Sequence, residues 1–473
     1  MQVRDHKTKI VGTIGPASES PQMLEQLIRA GLDIARLNFS HGDFSRHAAV
    51  IDRIRAAEKR TGRNVSIMAD LPGPKMRLGK IDPEPIQLAA GSEYILTTED
   101  VVGDSRRSSM SFERLPKVVK PGDKLFLNDG LVQLMVERVA GADVHCSVAV
   151  GGELRSRKGL NIPGIDLGVS AFTNHDRACL KFAVEHGVDA VSQSFVEGAE
   201  DIERVRAAAA ESGRRPFIIA KIERSVGVEH YEEILKAADG IMVARGDLGV
   251  EIPMEEIAVV QKMLIAKANA AGKPVITATQ MLESMTTNRL PTRAECTDVA
   301  NAILDGTDCV MLSGECAMGK YPVESVEMLA KIARVTEQSR GDSPESERGE
   351  SKPSTAAEAT GLVVRHALRT VPCAAVFAPS FTGNTARMIS RFKSPVWIVA
   401  VSDEAPVCYS LQFSYGVDPI LVQPVPEDWR EFAIGWLREQ ELDGNIALLV
   451  AAASPSQPAA NHRIEFIRVG KTI

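Results

Sequence analysis

The chain has 473 residues, 44% of them hydrophobic and 25% charged, a composition that suits an ordinary soluble protein and is too long for one small core. Acidic residues outnumber basic ones 62 to 55, and the formal charge of -7 is spread without blocks, which argues against nucleic acid or a membrane surface as partner. The seven cysteines form no CxxC or Cys/His cluster with metal-ligand spacing, the start MQVRDHKTKI lacks the apolar core of a signal peptide, and no apolar run approaches the ~18 residues of a membrane span, so a reduced cytoplasm is expected.

From residue 8 onward, short apolar runs with strand character alternate with segments of helical character, the pattern of a parallel α/β sheet or barrel. The strand candidates are KIVGTIG (9–15), IARLNFS (34–40), VSIMADL (65–71), AVSQSF (190–195), FIIAKIE (217–223), GIMVAR (240–245), VITATQ (275–280) and CVMLSG (309–314). Eight such strands predict a closed (β/α)8 barrel. After the third, the rhythm breaks into β-rich sequence with turn signals at KPGDK and LNDG, read as an inserted β-barrel domain over 72–165. The barrel then comprises 1–71 and 166–340. Polar, charged sequence over 341–355 reads as a linker, and 356–473 as a C-terminal α/β domain.

Catalytic side chains of such barrels sit at the C-terminal ends of the strands, and the polar residues of this sequence gather there. Side chains two apart on a strand share a face, so Lys221 and Glu223 of KIE are expected to enter one site. Asp247, in a turn after the sixth strand, brings a second carboxylate, and two carboxylates with substrate oxygens and water are how Mg²⁺ is usually held. An ordinary ion pair and a capping Asp explain the same residues equally well. ARLNFSHG puts Arg36, Asn38 and Ser40 on one strand face, and an arginine there suits bidentate phosphate binding. Asp70 ends the third strand, and the seventh carries Thr277 and Thr279. His41 reads as a surface residue, and Ser313 and Glu315 as packing or capping groups as much as site groups.

Taken together, TKIVGTIGPAS, ARLNFSHG, AKIERSVGVE, DGIMVARGDLGVE, GKPVITATQMLESM and PTRAECTDVANAILDGTDCVMLSGE, in that order, resemble the pyruvate kinase family over nearly all of residues 8–335, with a looser likeness in the C-terminal domain. The resemblance implies transfer of a phosphoryl group from phosphoenolpyruvate to ADP, giving pyruvate and ATP. It implies that Arg36 and Lys221 hold the phosphoryl group and that Glu223 and Asp247 bind Mg²⁺, for which Mn²⁺ can substitute. The substrate carboxylate would rest on the backbone of Arg245, Gly246 and Asp247 and on Thr279, near which the enolate is protonated. Nucleotide would lie near Asn38, His41, Arg77 and Lys158, and closure of the insertion would exclude water. A homotetramer is implied as well.

One motif departs from much of the family. Members that need K⁺ bind it with residues matching Asn38, Ser40, Asp70 and the carbonyl of position 71, and carry Thr at 71 and Glu at 75. Here Leu71 and Lys75 stand there, which resembles the potassium-independent branch. A Glu-to-Lys exchange changes local charge by two units and opposes K⁺ binding, so K⁺ is expected not to be required. SFTGNTAR resembles the family's effector-phosphate loop, with Ser380, Thr382 and Thr385 as phosphate contacts; an ordinary strand-to-helix turn reads equally well. The loop AAASPSQPAANH lacks the basic and glycine-rich residues that would favour fructose 1,6-bisphosphate. Two rivals are a lyase or aldolase that handles pyruvate enolates, against which the insertion and ARLNFSHG argue, and a silent metabolite sensor.

Overall fold

The computed structural model describes residues 2–165, 167–340, 353–452 and 461–470. Eight strands, β1 (Lys9–Thr13), β2 (Ile34–Asn38), β3 (Ser66–Leu71), β4 (Ala190–Gln193), β5 (Phe217–Ile222), β6 (Gly240–Ala244), β7 (Val275–Ala278) and β8 (Cys309–Leu312), close into one parallel barrel in chain order. Every residue of β1, β3, β4, β5, β6, β7 and β8 is buried, because one face fills the barrel and the other packs on the surrounding helices. Those helices start on chosen caps. Ser20 and Asp43 accept from backbone amides at the starts of Pro21–Ala30 and Phe44–Thr61, and Thr173/Asp176 and Thr292/Glu295 form capping boxes.

Alternation sorts the barrel interior into layers. Val11, Ile34, Met68, Ala190, Phe217, Ile219, Met242, Ile276, Cys309 and Met311 make its apolar lower part, together with Phe413 from the C-terminal segment. The Phe413 ring stacks on Phe217 at 5.4 Å and seals the base. The interior positions toward the strands' C-terminal ends are polar: Thr13, Arg36, Asp70, Ser192 and Lys221. That switch from apolar to polar places the site at the barrel mouth.

The strands are shorter than the sequence pattern suggests: all but β3, which ends at Leu71 as expected, stop one to two residues before the expected end. Ser40 therefore lies in a turn beyond β2, not on the strand face with Arg36 and Asn38, and its amide donates to Asn38 Oδ1 at 3.1 Å. Thr279 and Gln280 follow β7 with positive φ of 70° and 53°, which takes the chain out of the ladder. Asp247 sits in a short helix, Arg245–Glu251, rather than in an open turn. Thr277 faces away from the mouth and donates to the Thr307 hydroxyl at 2.9 Å.

Between β3 and β4 the chain forms a six-stranded sheet (Leu160–Asn161, Lys124–Leu127, Val132–Ala140, Asp143–Val150, Glu93–Thr97, Arg107–Ser109) and a two-stranded one (Ile86–Leu88, Gly152–Leu154) around one apolar core. Asn128, Asp129 and Gly130 all take positive φ, which turns LNDG into the connection from Lys124–Leu127 to Val132–Ala140. The C-terminal segment carries a five-stranded sheet, ordered β11-β10-β9-β12-β13, with β9 (Cys373–Pro379), β10 (Trp397–Ser402), β11 (Val417–Leu421) and β12 (Ile446–Ala451) parallel and β13 (Arg463–Arg468) antiparallel. It grips the barrel base through the buried pair Lys393–Asp308 at 2.7 Å and the bond from Lys9 Nζ to the Val417 carbonyl at 2.8 Å. Most of the expected linker, 341–352, and of the final loop, 453–460, lie outside the described residues.

Candidate active site

Arg36 reaches inward from β2, where Nη1 donates to Thr13 Oγ1 at 2.8 Å and Nη2 meets Asp70 Oδ2 at 2.5 Å. Asp70, at the end of β3, also accepts from Ser192 Oγ at 2.7 Å and lies 3.2 Å from Lys221 Nζ. Burial alone would raise the Asp70 carboxyl, but the Lys221 ammonium and the Arg36 guanidinium outweigh it and hold the group well below the usual carboxylate range. Lys221 in turn donates to Ser194 Oγ at 2.7 Å and lies 2.8 Å from Glu223 Oε1. Burial works against its charge, yet Asp70 and Glu223 together raise its pKa, so it is an ammonium at neutral pH.

Glu223, the first residue past β5, accepts from the Phe195 amide at 2.8 Å. Its pKa is raised, chiefly by burial, with Lys221 opposing and the nearby Asp247 carboxylate adding to the rise. A buried carboxylate whose charge is disfavoured, with a second carboxylate nearby, fits a divalent cation, whose charge would offset that cost at Glu223. Among the described residues no group of three or more His, Cys, Asp or Glu forms a metal cage, so substrate and water oxygens would complete the shell.

The Arg245–Glu251 helix begins where β6 ends. Arg245 staples it to its neighbours, with Nη2 donating to the Thr279 carbonyl and Nη1 to Asp298 Oδ1, both at 2.7 Å. The Gly246 amide donates to Thr279 Oγ1 at 2.7 Å, and Thr279 is a β-branched residue held at φ 70°. That uncommon conformation keeps the hydroxyl and the helix amides together.

Lys75 leaves the barrel on the loop into the insertion and is half-buried. Burial and then Lys221 lower its pKa, whereas the Asp70, Glu223 and Asp247 carboxylates oppose the shift. His41 is exposed at the rim; partial burial and the cations Lys75, Arg77 and Arg36 lower its pKa. Arg77 and Lys158 lie on adjoining segments, joined by the Leu78 amide donating to the Lys158 carbonyl at 2.9 Å.

The structure thus gathers Arg36, Asp70, Lys75, Lys221, Glu223, Asp247, Arg245, Gly246 and Thr279 at one mouth, with Asn38, Ser40, Leu71 and His41 beside them. Ser380, Thr382 and Thr385 lie apart, after β9. There the buried Ser380 hydroxyl has no hydrogen-bond partner among the described residues, and Arg387 donates to the Thr382 carbonyl at 3.0 Å and to Ser410 Oγ at 2.7 Å. Sequence reasoning missed Thr13, Ser192, Ser194 and Asp298 as partners of the charged groups. The first three stand at period two at strand ends, where alternation alone could have marked them; Asp298 lies on a different helix, and no local pattern shows it.

Two family models match the chain: "Pyruvate kinase, barrel domain" over residues 5–326 and "Pyruvate kinase, alpha/beta domain" over 358–460. A pyruvate kinase of Thermococcus litoralis is 50% identical over 424 residues, covering 89% of this chain and 89% of the relative. One from Geobacillus stearothermophilus is 45% identical over 415 residues, covering 87% of this chain and 71% of the relative. The crystal structure of a pyruvate kinase from Cryptosporidium parvum superposes with a TM-score of 0.90 at 35% identity, covering 98% of this chain and 97% of that one.

Proposed function

Because the chain belongs to the pyruvate kinase family, an enzyme family that transfers a phosphoryl group from phosphoenolpyruvate to ADP with a divalent metal, we propose the following roles for its residues. Lys221 and Arg36 flank the transferring phosphoryl group, and the observation that carries this is the Lys221 ammonium, buried 2.8 Å from Glu223 and 3.2 Å from Asp70 beside Arg36. Phosphoryl transfer is catalysed mainly by positioning and by neutralising charge that spreads over the phosphoryl oxygens. Asp70 fixes both cations at once, so they need not reorganise during transfer. No general base is required, because ADP attacks as an oxyanion.

The metal, which we take to be Mg²⁺ on Glu223 and Asp247, supplies Lewis acidity toward the substrate oxygens when bound. The substrate carboxylate would accept from the amides at the start of the Arg245–Glu251 helix, whose approach Thr279 and Arg245 fix. Thr279 Oγ1 would stand at the face where the enolate takes its proton. Asn38, His41, Arg77 and Lys158 would line the nucleotide path between barrel and insertion, and closure of the insertion would keep water from the phosphoryl group.

We also propose that turnover does not need K⁺. In support, the charge of the half-buried Lys75 is favoured by the Asp70, Glu223 and Asp247 carboxylates, and both Asp70 oxygens already accept from protein donors. A homotetramer, a cytoplasmic location and a phosphorylated effector at Ser380, Thr382 and Thr385 complete the proposal. The helix after the effector loop, Asn384–Ser390, has 7 residues, and Arg387 on it is already engaged by Ser410. Pyruvate formation by Lys221→Met tests the core of the reading: a loss of turnover with retained phosphoenolpyruvate binding supports it, and unchanged turnover removes it.

A further inference from the structure

Arg224 directly follows Glu223 and is among the largest fully buried side chains, at 2% exposure, yet nothing in the chemistry above uses it. Burying a guanidinium costs several kcal/mol unless its donors are matched. Here Nη1 and Nη2 are matched and Nε faces a carboxylate, with groups drawn from three separate segments. Nη1 binds the Glu197 carboxylate after β4, and Nε lies 3.5 Å from Oε2 of Glu251, the last residue of the Arg245–Glu251 helix. Nη2 donates to two carbonyls, Ile162 at 3.2 Å and Ile165 at 2.8 Å.

Those carbonyls belong to the exit of the insertion, immediately after Leu160–Asn161, which pairs with Lys124–Leu127 inside the inserted sheet. The same helix that ends in Glu251 begins with Arg245, Gly246 and Asp247, and it also packs against Leu160–Asn161. A Cβ at Gly130, in the inserted hairpin turn, would lie 3.6 Å from both Val250 methyl groups. The insertion therefore touches the metal-carboxylate elements through this helix and through Arg224. Its entrance is tied separately, by the Gly73 amide donating to Asp176 Oδ1 at 2.9 Å.

We propose that Arg224 is a positioning residue for the reaction: its planar fork ties the insertion's exit to Glu197 after β4 and to Glu251 at the end of the Arg245–Glu251 helix, so one side chain sets how the exit of the insertion sits on the barrel. A planar fork can hold three acceptors and face a second carboxylate at fixed angles, which the single ammonium of a lysine cannot. The inference rests on the reading that the insertion carries nucleotide contacts at Arg77 and Lys158. Loosening the exit should therefore weaken ADP capture while leaving phosphoenolpyruvate on its barrel residues.

The test uses Arg224→Lys, which keeps the charge, and the double variant Arg224→Met/Glu251→Gln, which removes charge of both signs and leaves no unpaired charge at the buried Glu251 position. Hydrogen exchange is read in the full chain without metal or substrate, and KM and kcat are read for both substrates. The proposal predicts exchange at 159–165 faster by about tenfold or more, helix Pro322–Ser339 unchanged, KM for ADP raised by about tenfold and KM for phosphoenolpyruvate within about twofold, in both variants. It is overturned by parent-like exchange and KM values in either variant, or by exchange that rises equally in Pro322–Ser339. Exchange needs no turnover, so its failure is separate from any failure of the catalytic reading, which would show as an inactive parent enzyme.

Discussion

Replacing Lys221 by Met keeps the side chain's bulk and removes its charge. The ammonium lies 2.8 Å from Glu223 and 3.2 Å from Asp70. At an effective dielectric near 20, each contact corresponds to roughly 5 to 6 kcal/mol of Coulomb attraction before desolvation. That attraction holds the ammonium at a fixed point before substrate arrives, and only the extra stabilisation of the transition state appears in kcat. Losing one preorganised donor of this kind costs about 3 to 4 kcal/mol, so kcat should fall by about 10²- to 10³-fold. Arg36 and the helix amides at Gly246 and Asp247 are untouched, so KM for phosphoenolpyruvate should stay within about threefold. The assay couples pyruvate to NADH oxidation, with the thermal midpoint as a folding control. A folded Lys221→Met enzyme with kcat within about tenfold of the parent would refute the assignment.

Other predictions concern Lys75, the barrel base and the mouth. Lys75 titrates below the ordinary lysine value because burial and Lys221 disfavour its charge. It therefore loses its proton as pH rises toward 10.5, and activity in K⁺-free buffer should decline in that alkaline range and recover on adding KCl; identical alkaline limbs with and without K⁺ would contradict this. Lys75→Glu reverses the local charge by two units and should make turnover depend on K⁺, read as a rate ratio between KCl and tetramethylammonium chloride; a ratio near one would count against the role. Phe413→Ala empties the apolar base and should cost about 3 to 5 kcal/mol in urea unfolding while leaving kcat near the parent value, whereas a cost below about 1 kcal/mol would show that the ring does not seal the barrel. Asp298→Ala removes the partner of Arg245 and should raise KM for phosphoenolpyruvate more than KM for ADP; equal changes would mean that the Arg245 staple does not place the substrate carboxylate.

Much of this architecture was legible because barrel strands carry a strong local signal. Apolar runs such as KIVGT and FIIAKI, spaced by capped helices, can hardly be read otherwise, and the polar residues at their ends mark the mouth. Strand ends were less legible. Hydrophobic and polar periodicity continues through Ser40, Thr279 and Gln280, whereas the hydrogen-bond ladder stops earlier because these positions adopt turn or left-handed backbone. The pair Lys221 and Glu223 was visible as two residues on one face, and Asp70 as a polar strand end. Invisible were partners set by tertiary packing, such as Asp298 for Arg245 and the Ile162 and Ile165 carbonyls for Arg224, since no periodicity links residues of separate elements. Lys75 was legible only through resemblance, and the carboxylates that bear on its charge, Asp70, Glu223 and Asp247, come together only in the fold.

The most direct measurement is ATP formation from phosphoenolpyruvate and ADP with Mg²⁺, run in tetramethylammonium chloride and in KCl. The account predicts comparable turnover in both salts, with Lys75 in the place of the monovalent cation. Turnover only in KCl would contradict the role of Lys75, and none in either salt would contradict the catalytic assignment of the barrel mouth.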